Sequence, residues 1–342
     1  MKMSDFEATL TRRVLLINGV TPVRRLDKVS AATGREVYVK QDDQTSDVYG
    51  GTKTRKLEFI LQEAHDLGAR SLVTMGSWAS HHVLATALHA RPLCLDVHAV
   101  VSPQPRLPHV GYALHRCIEA GATLYPSNSG MSSAYAIWKL LRKLRRTGAQ
   151  PYMVNLGGSS GAGMLGSVRG ALELAQQVAE NQAPRTGPIY VALGSGSTAA
   201  GIALGLVLAG TPRPVRAVQV TSKWVVNRFV INQLLHAGAR LLVEPHLRRS
   251  LVKAASARIL IDQSTLGDGY GWPCEKSDHA IALAGADGLA LEATYTAKVI
   301  AALLGKTQET EPALYWHTLA APSLPPAGEL TLPSWFGGTE SS

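Results

Sequence analysis

Along the chain, short β-branched apolar runs alternate with longer stretches whose apolar residues recur at helical spacing. Strands are predicted at Glu36–Lys40, Ser71–Met75, Leu95–Val101, Thr123–Tyr125, Tyr152–Asn155, Ile189–Leu193, Val215–Val220 and Arg258–Ile261, with a last core strand at Leu314–Thr318. Helices are predicted between them, among others at Lys53–Leu67, Ser80–Ala90, Met131–Arg146, Met164–Gln182 and Thr198–Ala209. Gly68, Gly148 and Gly210 close three of these helices, as a left-handed stop residue does. Strand–helix alternation at this spacing implies crossover units and mainly parallel sheets. Eight or more strands over 342 residues argue for two sheets, hence two α/β domains with a cleft between them. The stretch Leu324–Ser342, rich in Pro, Gly and Ser, is expected to be a surface tail.

Composition narrows the class. Apolar residues make up 46% and charged residues 17%, which requires a packed globular protein. No apolar run reaches the roughly 18 residues needed to span a bilayer. The first apolar run, Val14–Ile17, is too short for a signal peptide, so no membrane and a cytoplasmic location are expected. Cys94, Cys117 and Cys274 are odd in number, far apart and without a C-x-x-C spacing, so neither a zinc site nor a disulfide framework is indicated. The formal charge is +9. Its densest run, Lys139–Arg146, surrounds Leu140, Leu141 and Leu144 and reads as an amphipathic helix with a solvated basic face. No nucleic-acid-binding motif accompanies it, and anionic cofactors or substrates account for part of the surplus.

Candidate chemistry sits where strands hand over to helices. In Tyr49-Gly50-Gly51-Thr52-Lys53-Thr54-Arg55-Lys56, two glycines end an extended segment and a helix begins. Lys53 then lies in a first turn, where the helix dipole favours anions. A buried amine near other cations has a lowered pKa and becomes a nucleophile, and Arg55 and Lys56 are placed to act so. A solvated basic helix start fits the same residues. Gly194-Ser195-Gly196-Ser197-Thr198 follows an apolar strand and opens a helix, a cradle for a phosphate. It lacks both the Walker ending and the dinucleotide spacing, which points to a phosphate monoester, with a flexible turn as the alternative. Gly157-Gly158-Ser159-Ser160-Gly161 is a second, weaker loop of this kind.

Gly76-Ser77-Trp78-Ala79-Ser80-His81-His82 is a further strand-to-helix loop, with Ser80 as the N-cap and amides suited to a carboxylate. No G-x-S-x-G elbow supports a Ser–His nucleophile. Adjacent histidines diverge on a helix, and no carboxylate lies nearby in sequence, so no metal site is expected. Tyr270, set among glycines, and Tyr295, at the start of a late helix, each read more readily as packing than as chemistry.

Taken in order, these segments resemble the D-cysteine desulfhydrase/1-aminocyclopropane-1-carboxylate (ACC) deaminase family of tryptophan-synthase-β-like enzymes. The resemblance runs from Thr21-Pro22 and Lys40-Gln41-Asp42-Asp43 to His317-Thr318. It implies pyridoxal 5′-phosphate (PLP), with Lys53 as the Schiff-base lysine and Ser80 facing the substrate. His81 would meet the cofactor's 3′-oxygen. Ser195, Gly196, Ser197 and Thr198 form the phosphate loop, Tyr270 and Tyr295 are the active-site tyrosines, and Thr318 meets the pyridine nitrogen. Thr296 and Thr318 match the D-cysteine desulfhydrase pattern rather than that of ACC deaminases. A threonine at the ring nitrogen makes a weaker electron sink, suited to β-elimination of a good leaving group. Thr52, His81 and Leu319-Ala320 depart from the family pattern and suggest a specialised substrate.

The resemblance implies a large PLP-binding domain from residues 1–62 and 156–342, a small domain from 63–155, and a homodimer. The implied activity is α,β-elimination on a small, D-cysteine-like amino acid, giving a 2-oxo acid and ammonia. Lys53 would act as base, and Tyr270 or Tyr295 as donor to the leaving group. The alternatives are β-replacement and a diverged, non-catalytic PLP- or amino-acid-binding protein.

Overall fold

The computed structural model describes residues 3–106, 108–128, 130–306, 308–319 and 331–336. Ten strands lie among them: β1 Val23–Arg25, β2 Val37–Gln41, β3 Ser71–Ser77, β4 Asp96–Ser102, β5 Ala122–Pro126, β6 Pro151–Met153, β7 Ile189–Leu193, β8 Val215–Gln219, β9 Ile259–Asp262 and β10 Ala313–His317. Of the described residues, 3–59 and 159–319 form one compact unit, and 60–158 with 331–336 a second. The sequence places these divisions after Gln62 and Asn155.

The first unit is built on a six-stranded sheet of order β1-β2-β10-β7-β8-β9. Only β1 pairs antiparallel, with β2; the other neighbours are parallel. β1 was not expected, because Val-Arg-Arg carries no alternating pattern. It exists through its pairing with β2, Val23 opposite Lys40. One face of the sheet buries Val191, Leu193, Ala217 and Leu314 against the helices Gly161–Ala179, Ser197–Leu208, Arg228–Leu242 and Pro245–Arg258. The other buries Val37, Val39, Val218 and Tyr315 with Val299 and Ile300 of the helix Thr296–Leu304. Fully buried parallel strands read as continuous apolar runs, which is why β7 was found with its true limits.

The second unit holds a four-stranded parallel sheet of order β5-β4-β3-β6. Val73 and Val100 pack against Ile137, Leu140 and Leu144 of the helix Gly130–Arg146, the apolar side of the basic run. Expectation and structure differ at the C-terminus. Residues 331–336 group with this unit and not with the large domain, because their aromatics find aromatic partners there. Trp335 and Phe336 pack on Trp78 with centroids 6.3 and 5.3 Å away. The remainder of Leu324–Ser342 lies outside the described residues.

One buried network ties the start of the helix Thr52–Asp66 to the rest of the first unit. Arg55 is 1% exposed. Its Nε and Nη2 donate to Asp42 at 3.0 and 2.8 Å, and its Nη1 and Nη2 to Glu173 at 2.9 and 3.0 Å. Lys40 also bonds Glu173, and Trp316 Nε1 donates to Asp42 at 2.7 Å. Burial works against the charge on Glu173, but Arg55 and Lys40 outweigh it and hold its carboxyl at about 2. Gly166 lets the two helices approach closely, since a Cβ there would lie 2.0 Å from the Arg55 carbonyl oxygen. Gly166→Ala is therefore expected to destabilise the protein by about 1–3 kcal/mol or more, the usual range for overpacking. An unchanged urea midpoint for that variant would contradict this packing.

Candidate active site

β10, β7 and β8 are adjacent and parallel, so the segments after their C-terminal ends leave the sheet on one edge. That edge is where open α/β sheets bind ligands. Thr318 follows β10, and Gly194–Ser197 follows β7.

Lys53 is brought to Thr318 by its neighbours. The Thr52 amide donates to the Thr318 carbonyl at 3.0 Å, and the Thr52 hydroxyl does so at 3.3 Å. Gly51, with φ +106°, pairs with Leu319. A Cβ on Gly51 would lie 2.7 Å from the Thr318 oxygen, so only glycine permits this approach. Two departures from the family pattern, Thr52 and Leu319, thus join the strand end to the lysine helix. Ala320 lies outside the described residues.

Lys53 is partly exposed, within reach of a ligand, yet desolvation lowers its pKa from 10.5 to about 8. Neither Arg55 nor Lys56 causes this, contrary to expectation. The Arg55 charge is neutralised by Asp42 and Glu173. Lys56 is fully buried and pushed well below the ordinary lysine value, by burial first and then by the charge on Lys53. The hydrogen bond between Lys53 and Lys56 raises the Lys53 pKa instead.

The loop after β7 gathers hydroxyls. Ser159 Oγ donates within 2.7 Å of Ser195 Oγ and 3.0 Å of Ser197 Oγ. Ser197 and Thr198 are buried. The helix Ser197–Leu208 starts at Gly196, φ +98°, without a side-chain cap. The neighbouring helix starts at Gly161, three residues before its predicted Met164, because Ser160 caps it through the Gly163 amide at 3.0 Å. An uncapped helix start lined by three serines fits a phosphate monoester. Ser159, in the weaker of the two glycine loops, was not singled out from the sequence.

Tyr295 lies beside this loop, its ring 3.5 Å from where a Gly194 Cβ would stand. Its hydroxyl donates to Tyr270 at 2.7 Å, the rings meeting edge-to-face. Burial first, and then the neighbouring Tyr270, raise the Tyr295 pKa well above the ordinary value, so Tyr295 keeps its proton near neutrality. Glu292 accepts the amides of Thr294, Tyr295 and Thr296 at 2.7, 2.7 and 2.8 Å, fixing the turn that carries Tyr295. Beneath it Tyr315 bonds His317 Nδ1 at 2.7 Å. Burial lowers the His317 pKa to about 3, leaving its imidazole neutral. Glu292 was not singled out as a site residue from the sequence either.

Ser80 and His81 belong to the second unit. Ser80 is the N-cap of the helix His81–Ala90, as predicted, accepting from Val83 N at 3.4 Å. The turn ahead of it is held by Trp78 N on Ser102 O and Ala79 N on Gln104 Oε1, at 3.0 and 3.1 Å. His82 faces inward onto Thr74 at 3.2 Å, while His81 is partly exposed.

Comparison with known proteins covers nearly the whole chain. The profile of pyridoxal-phosphate-dependent enzymes matches residues 14–318. D-cysteine desulfhydrase of Klebsiella pneumoniae (strain 342) is 33% identical, over 92% of this chain and 96% of its own. That of Salmonella choleraesuis (strain SC-B67) is 32% identical at the same coverage. A solved ACC deaminase homologue superposes with a TM-score of 0.78 at 28% identity, over 94% of this chain and 95% of that one. Serine racemase from Dictyostelium discoideum shares the fold, with a TM-score of 0.61 at 15% identity over 94% of this chain and 98% of its own.

The hydrogen bond from Lys53 to Lys56 sets the sign of one outcome. Lys56→Met removes the acceptor, so the Lys53 pKa should fall further below about 8. The pH dependence of amine labelling at Lys53, followed by mass spectrometry, measures this. A rise would restore the view that Lys56 acts as a repelling cation.

Proposed function

The chain belongs to the pyridoxal-phosphate-dependent enzymes, and we propose that it is a lyase of that family acting on a small, D-cysteine-like amino acid. The products would be a 2-oxo acid, ammonia and the protonated β-substituent, with one water consumed. Lys53 is the observation that carries this reading. Its amine is tuned to about 8 and sits one residue from the tether to Thr318, in the unit that also holds the hydroxyl-lined helix start.

When bound, PLP supplies an electron sink for the charge left on the substrate's α-carbon. Ser195, Gly196, Ser197 and Thr198 would hold its phosphate, Thr318 its ring nitrogen, and Lys53 its aldehyde carbon. Lys53 then removes the α-proton, a task for which a pKa near neutrality suits a base; a positioned base contributes about 10²–10⁴-fold. Tyr270 and Tyr295, hydroxyls 2.7 Å apart, would deliver a proton to the departing sulfur. Burial keeps Tyr295 from giving up its proton to water, so it has one to give. In the second unit the reading assigns Ser80 to the substrate carboxylate and His81 to the cofactor, following the family resemblance. The same resemblance supports a cytoplasmic homodimer. Among the described residues no helix is long and apolar enough to cross a membrane.

Purified protein with PLP should develop a visible absorbance band and release pyruvate and sulfide from D-cysteine. Lys53→Ala should lose both band and turnover, and a variant retaining them would remove Lys53 from the reaction. A band without pyruvate, from D-cysteine or β-chloro-D-alanine, would favour β-replacement or a binding protein. Cofactor uptake needs the neutral amine. Its rate should therefore rise with pH through about 8, rather than through the ordinary 10.5. Stopped-flow absorbance checks the midpoint.

A further inference from the structure

The tyrosine pair is held from one helix start by two residues of opposite charge. Glu292 fixes the Tyr295 turn through three amides. Lys298, in the first turn of the helix Thr296–Leu304, is 0% exposed. Its Nζ donates to the carbonyls of Leu266 at 2.7 Å and Gly269 at 2.9 Å. Gly269 directly precedes Tyr270. The same helix turn receives Thr265 Oγ1 on the Lys298 carbonyl at 2.9 Å.

This segment has little order of its own. Gly267, Gly269 and Gly271 adopt φ of +58°, +106° and +85°, and glycines lose more freedom on ordering than any other residue. The helix around Lys298 reads Ala-Lys-Val-Ile-Ala-Ala-Leu-Leu, so an apolar side chain would suit its packing better than an ammonium. Desolvation opposes the charge, while Cys274, Glu292 and Asp268 favour it. What the charge obtains in return is the pair of loop carbonyls.

We propose that Lys298 is a positioning residue, its ammonium acting as a fixed internal cation that keeps the Tyr270 hydroxyl against that of Tyr295. The consequence for turnover rests on the proposed role of the tyrosine pair as proton donor. The effect on the loop does not.

The test uses PLP-loaded wild type, Lys298→Met, Tyr270→Phe and the double variant. In Lys298→Met, amide hydrogen exchange at 266–271 should speed up by about 10-fold or more, with the helix Thr296–Leu304 still protected. Its kcat on D-cysteine should fall by about 10²-fold, the cost of misplacing a reacting group by roughly an ångström, with KM changed far less. The double variant should be no slower than Tyr270→Phe, since both changes remove one device. Unchanged exchange in the loop, or fully additive losses of kcat, would overturn the inference. Wild-type turnover by Tyr270→Phe would instead sink the donor role, leaving the exchange result to judge Lys298. Should Lys298→Met fail to fold, Lys298→Gln takes its place: uncharged and one atom shorter than lysine, it falls short of the Leu266 and Gly269 carbonyls and should give the same faster exchange and lower kcat. Collapse of both would assign Lys298 to the fold as a whole and overturn its role as a positioning residue.

Discussion

Everything at the candidate site depends on a buried arginine with two carboxylates. Arg55 makes its hydrogen bonds to Asp42, Glu173 and Thr21, and Lys40 brings the local charge to balance. Removing one partner of such a set leaves an uncompensated buried charge, at a cost of about 3–5 kcal/mol. The three anchoring elements are β2, the turn that follows it and the helix Gly161–Ala179. Each also borders the sheet edge where Thr318 and the serine loop emerge. The network therefore sets both the angle at which the lysine helix enters and the distance of Lys53 from its strand-end partner.

Because Arg55 spends its charge there, it does not bear on Lys53. Two effects remain at that amine, and they oppose each other. Desolvation lowers its pKa, and the hydrogen bond to Lys56 raises it. Desolvation wins, and the result is a base near neutrality. In the same unit, Tyr295 is kept protonated by burial and by the neighbouring Tyr270. Environment alone thus shifts the two groups in opposite directions, as the proposed base and acid of an elimination require.

The positioning groups share a physical character. Glu292, Lys298, Thr52 and Ser160 act chiefly on main-chain amides and carbonyls, Glu292 accepting also from the Thr296 hydroxyl. Backbone groups do not change with sequence, so such bonds fix loop geometry while leaving the loop residues free to serve a ligand. The aromatic cluster of Trp78 with Trp335 and Phe336 shows the same economy in the second unit, where Arg106 donates to the Phe336 carbonyl at 3.0 Å.

The chain's own order of residues determined a good deal. Periodicity alone located β7 to the residue and most other strands to within two, because buried parallel strands are unbroken apolar runs bounded by glycine and serine. Motif order located the helix starts after the glycine–serine loop and the lysine segment, and the Ser80 cap, since helix starts and tight turns restrict residue type locally. The origin of the Lys53 shift was misjudged from sequence, because nearness along the chain says nothing about which charges are already paired. Only the tertiary structure decided that Arg55 turns to Asp42 and Glu173, partners 13 and 118 residues away. It alone decided that Lys298 reaches back about 30 residues to a glycine loop, and that residues 331–336 settle on Trp78. These are choices of partner between distant segments, made by burial and charge balance, and no local pattern encodes them.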